Sequence, residues 1–172
     1  MQNFKIRLSG GHPNSLGNTV AVVKEVLAHP ESFDELFNCY YSTDEVVRLR
    51  TSNAMKRICK ARKALIIPYI DRFLSEVSPI DQASAQWTLS QLFLMLEKDM
   101  DKDQIAKAKS IMKDNLENHE DWIVLNQTMA TLTKWSKKDD SLRQWLIPRL
   151  ERLSTDDRKS VAGRAKKLLG GL

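Results

Sequence analysis

Turn-forming residues are scarce in this chain: six glycines and five prolines in 172 residues. An all-β chain must turn roughly every ten residues, so that class is excluded. The same shortage rules out collagen-like and low-complexity readings. Two cysteines cannot build a disulfide framework and suit a reducing compartment. The longest apolar run, Leu92-Phe93-Leu94-Met95-Leu96, falls far short of the roughly 18 residues of a membrane span. The opening residues, Met1 to Arg7, hold no apolar core of a signal peptide. The expectation is a soluble, cytoplasmic protein with no membrane partner.

Histidine is also rare. His12, His29 and His119 have no second ligand at i+3 or i+4, the spacing that sets two donors on one helical face. No metal, cofactor or Ser–His–acid constellation is expected, nor any small-molecule substrate. The one glycine-rich stretch runs from Gly10-Gly11 to Gly17. Five residues separate Gly11 from Gly17, and Asn18 stands where a phosphate loop needs Lys. That stretch reads instead as a cap, with residues 1–16 forming an N-terminal capping segment of a single domain, 1–172.

What is present is an ordinary globular composition, 42% apolar and 28% charged, with a net charge of +5 and a pI near 9.2. The basic excess is local. Residues 44–80 carry eight basic and four acidic groups, and residues 156–172 carry five and two. Such patches attract phosphates, although they are more often solvated helix faces.

Apolar residues recur at helical spacing beyond residue 17. In 44–61, Val47, Thr51, Ala54, Met55, Ile58 and Cys59 share one side of a wheel, while Arg50, Asn53, Arg57 and Lys60 share the other. The pattern predicts nine helices: 17–28, 31–41, 44–61, 64–77, 81–97, 102–117, 120–136, 141–153 and 157–169. Alternation fit for a strand occurs only in Phe4-Lys5-Ile6-Arg7-Leu8. Cys39 and Cys59 fall on apolar faces and read as small buried hydrophobes. Trp87 and Trp135 read as core.

The helices repeat. Asp44, Asp81, Asp121 and Asp157 open alternate helices at spacings of 37, 40 and 36 residues. Eleven residues after each stands an apolar residue: Met55, Leu92, Leu132 and Leu168. Ile67-Pro68-Tyr69-Ile70-Asp71-Arg72-Phe73 matches Ile147-Pro148-Arg149-Leu150-Glu151-Arg152-Leu153 at an offset of 80, two periods. A two-helix unit of this size must stack on its neighbours to bury its apolar face.

Asp44-Glu45-Val46-Val47-Arg48, with Ala54, Ile58 and then Ile67-Pro68-Tyr69-Ile70, resembles a HEAT repeat. In that family an Asp-x-x-Val-Arg helix precedes a Pro-containing second helix. The likeness covers 44–77 most closely and extends over 120–170. Leu8-Ser9-Gly10-Gly11 and Leu16-Gly17 are similar to the opening of small bacterial HEAT-like proteins. The resemblance implies an all-α, right-handed α-solenoid of four to five helical pairs. The family's ladder of arginines cannot run the whole stack, because Ala85, Leu125 and Val161 occupy the places matching Arg48.

The resemblance also implies a concave side lined by second helices, where partners dock. The expected function is a non-catalytic protein-interaction module, with a protein partner held by Tyr69, Arg72, Lys107, Arg149 and Arg152. Tyr and Arg are the types enriched at binding hot spots. An alternative is nucleic-acid binding through Arg50, Arg57, Lys60, Lys63, Arg164 and Lys167. A third is kinship with the HEAT-like alkylpurine DNA glycosylases, which set Trp and a carboxylate in a basic cleft. Trp122 beside Asp121, and Trp145 near Arg143 and Arg149, are the residues of those types here.

Overall fold

A computed structural model describes residues 3–12 and 14–172. Met1, Gln2 and Pro13 of the expected capping segment lie outside the described residues. Every element among the described residues is helical, and none of these helices is long and apolar enough to cross a membrane. Contacts divide the chain at Met100 into two compact units.

The first unit opens with α1 (Phe4–Leu8) and α2 (Thr19–Ala28). α3 (Phe33–Asn38) follows between two 3-10 turns, Pro30–Ser32 and Cys39–Tyr41. α4 (Glu45–Ala61) is the long central helix. The chain then takes two more 3-10 turns, Lys63–Leu65 and Ile67–Tyr69, before α5 (Ile70–Arg72), which runs on as a π-helical segment, Phe73–Val77. α6 (Ala83–Leu96) completes the unit with the 3-10 turn Glu97–Asp99. α4 packs against both α2 and α6, and α1 and α3 also reach it. Phe4, Leu8, Phe37, Met55, Ile58, Phe73 and Leu92 fill the core.

The second unit holds α7 (Lys102–Asn118), α8 (Trp122–Ser136), α9 (Asp140–Leu153) and α10 (Lys159–Leu169). α8 packs against the other three, and α9 against α10. Met112, Leu116, Met129, Leu132, Leu146, Leu150 and Val161 are buried there. Asp101 closes a capping box with Gln104 at the head of α7, and Asp139 accepts from the Leu142 amide at 2.9 Å to cap α9.

Four sequence expectations need correction. The 4–8 segment is a helix, not a strand: Phe4 and Leu8, one turn apart, are both buried, while Ile6 is 70% exposed. The 64–77 helix is broken into two 3-10 turns, the second holding Pro68, then a short α-turn and a π-helical segment. Only two of the four register aspartates cap helices. Asp44 accepts from the Val46 amide, and Asp121 from those of Ile123 and Val124. The N-caps of α6 and α10 are Gln82 and Arg158, neither of which makes a side-chain capping bond. Finally, Arg50 is 2% exposed rather than solvated. α4 is covered on more sides than a two-faced wheel allows, and the loop before α2 wraps the guanidinium.

Candidate interaction surface

Tyr69 and Arg72 come together, as their spacing of three residues requires. The arginine sits 4.2 Å above the Phe37 ring and 5.4 Å from the Tyr69 ring. The rings themselves are locked, with Tyr69 edge-on to Phe33 at 4.6 Å and tilted against Phe37 at 5.1 Å.

The polar edge of Arg72 is fully engaged. Nη1 donates to Asp34 Oδ1 at 2.7 Å and Nε to Glu76 Oε2 at 3.0 Å. Nη2 donates to Asn38 Oδ1 at 3.1 Å and to the Tyr41 hydroxyl at 3.0 Å. The Tyr41 hydroxyl in turn donates to Glu76 Oε2, and the Tyr69 hydroxyl donates to Asp34 at 3.3 Å. Partial burial works against the arginine's charge, but hydrogen bonds to Tyr41, Glu76 and Asp34 outweigh it and raise its pKa. The Tyr41 hydrogen bond, with Arg72 adding, holds Glu76 below the usual carboxylate range. At Asp34 desolvation pulls upward, and the bonds from Arg72, Asn38 and Tyr69 together win, lowering its pKa.

Sequence reasoning missed Asp34, Asn38 and Tyr41, and named Glu76 only as sharing an outward helix face with Tyr69 and Arg72. The signal was available: 34, 38 and 41 fall on one face of a helix, and Glu76 stands i+4 from Arg72. Tyr41 is the exposed ring of the cluster, at 57%, and Asp34 and Asn38 are exposed with it. Asp34 and Asn38 also line a cleft of about 930 Å³ shared with Phe4, Glu25, His29 and Glu35.

In the second unit Arg149 lies 4.2 Å over Trp145, and Lys113 lies 4.8 Å over the same ring. Arg149 also donates to Glu117 at 2.7 Å and to the Trp145 carbonyl at 2.9 Å. Lys107 and Arg152 are exposed, and the structure joins neither to Arg149.

The basic residues differ in their surroundings. Arg57 is exposed and braced on Asn53 at 2.6 Å, Lys60 is exposed, and Lys63 pairs with Asp99 at 2.6 Å. Arg164 is half-buried and Lys167 exposed. Arg50 is withdrawn from solvent altogether and cannot meet a phosphate. Trp135 is core, Trp87 is half-buried, and Trp122 is 49% exposed. Both cysteines are free and buried, as their apolar faces require.

Arg48 bonds Gln82 Oε1 at 2.6 Å and the Ser42 carbonyl at 2.6 Å, and Gln82 returns a bond to the Glu45 carbonyl at 2.9 Å. The heads of α4 and α6 are thus tied by polar contacts. No family model, curated protein or solved structure matches the chain.

Proposed function

We propose that the chain is a non-catalytic protein-interaction module. It is built as a HEAT-like, right-handed α-solenoid of four to five helical pairs and holds a protein partner on its concave, second-helix side. The observation that carries this reading is the Arg72 cluster. A guanidinium stacked on two aromatic rings and fixed by four polar neighbours has already lost its rotamer freedom, so a partner does not have to freeze it. Tyr41 projects from that fixed base as an amphipathic contact residue of the kind that dominates protein interfaces. The packing of α4 against both α2 and α6, and the Arg48–Gln82 tie between α4 and α6, support the stacked-pair architecture.

Tyr41→Ala is the informative substitution, because Arg72→Ala would leave Asp34 and Glu76 without their cation. The partner is captured with the wild-type chain, produced separately, and titrated calorimetrically against both forms. The variant should bind about tenfold more weakly while melting with the wild type. Equal affinity would remove this surface, and the absence of any saturable partner would remove the function.

A further inference from the structure

The loop before α2 is organised around a buried cation that has no anion. Arg50 Nη1 donates to the carbonyls of Leu8 (2.7 Å), Ser9 (3.2 Å) and Gly10 (2.7 Å). Nη2 donates to His12 (3.3 Å) and Nε to Ser15 (3.1 Å). No carboxylate among the described residues pairs with it, so its charge is met by peptide dipoles alone.

Those dipoles have another end. In a trans peptide the carbonyl of one residue and the N–H of the next point in opposite directions, and the described residues contain no cis bond. The Ser9 and Gly10 carbonyls both accept from Arg50 Nη1, so the N–H groups of Gly10 and Gly11 are both directed away from it. Neither N–H donates to a described residue, and both residues are exposed. Consecutive positive φ angles, 69° and 72°, hold the pair in place. A Cβ at Gly10 would meet nothing within 4 Å, so the space beside Gly10 is open, whereas one at Gly11 would lie 3.6 Å from Arg50 Nη2.

Successive N–H groups aimed outward from a turn form an anion-binding concavity. Here the full positive charge of the buried Arg50 stands behind them. We propose that the outer face of the Gly10-Gly11 turn is an oxyanion site that takes a phosphate group, inorganic or as a monoester. A phosphate dianion gains more from the field of Arg50 than a carboxylate does, which favours the phosphate class. This site is independent of the protein-partner reading and differs from a phosphate loop, having neither its spacing nor its lysine.

The test is a titration of the ¹⁵N-labelled full chain with inorganic phosphate at constant ionic strength, followed at each amide. Saturable downfield shifts at Gly10 and Gly11, half-complete at millimolar phosphate, are the expected result. Acetate in a parallel arm should bind about tenfold more weakly. R50Q, which keeps hydrogen-bond donors but loses the charge, should also weaken phosphate about tenfold, and R50K should weaken it less. The wild-type titration decides the matter even if R50Q distorts the loop. Shifts at Gly10 and Gly11 that never saturate, or saturation confined to the lysines of α10, would overturn the site. So would equal affinity of R50Q with the loop amides in their wild-type positions. Acetate binding as well as phosphate would overturn the phosphate assignment.

Discussion

At the scale of single residues, burial decides more than residue type. A buried guanidinium is costly unless its donors are met, and five backbone carbonyls meet those of Arg50. Gly17 is required by that arrangement. Its φ is +48°, and a Cβ would come within 2.8 Å of Arg50 Cζ. None of this is legible in a helical wheel, which assigns Arg50 to water by its charge. The two thiols were legible, because small apolar surroundings recur around 39 and 59. Burial pushes the Cys39 thiol and the Cys59 thiol up to about 11, from an ordinary value near 9. A folded chain that holds its protons more tightly than the unfolded one keeps this stability below pH 9 and loses it as pH rises towards 11. Burial raises the Tyr40 phenol too, adding to the loss at the alkaline end. Urea midpoints should therefore fall between pH 8 and 10.5, and a Cys39→Ala, Cys59→Ala double variant should show a shallower decline. Equal slopes for the two proteins would show that the thiols play no part.

Among the elements, the caps separate what a repeat looks like from what it does. The four aspartates share a register in sequence, yet Asp44 and Asp121 accept amide protons at 2.8 Å whereas α6 and α10 start from residues without a capping side chain. Removing a working N-cap costs about 1 kcal/mol. Asp44→Ala and Asp121→Ala should each lose that amount in urea unfolding, while Asp81→Ala and Asp157→Ala should stay within about 0.5 kcal/mol of the wild type. Equal losses at all four would mean that the register itself, not the capping bond, sets the cost. The long helices were readable because a 3.6-residue apolar period over a dozen or more positions leaves little choice. α1 was not, because in five residues Phe4, Ile6 and Leu8 fit a strand as well as Phe4 and Leu8 fit a helix turn. The Pro68 segment failed for a related reason: its apolar spacing continues through turns that hydrogen-bond at three and five residues as well as four. The Arg72 cluster was half legible. Tyr69 and Arg72 were in view, but Asp34 and Tyr41 lie more than thirty positions away and reach the arginine only through tertiary packing.

Across the whole molecule, the repeat register survives as a pattern of burial better than as a pattern of caps. Seven residues after each aspartate, Thr51, Thr88 and Thr128 are buried, and Arg164 is half-buried. Eleven residues after, Met55, Leu92 and Leu132 have no exposed surface, whereas Leu168 is half-exposed. Where a register position is fully buried, an apolar side chain there is a packing requirement rather than a coincidence. The fourth position tests that claim, since its sequence register is the same and its burial is not. An aspartate introduced at a fully buried position must be desolvated without a partner, at a cost above about 4 kcal/mol. Met55→Asp and Leu132→Asp should therefore abolish cooperative unfolding in their units. Leu168→Asp, with water at hand, should lose no more than about 2 kcal/mol. Circular dichroism melts and native-state hydrogen exchange of the three variants measure the difference. If Leu168→Asp unfolded its unit as completely as Leu132→Asp does, burial would not be what the register encodes.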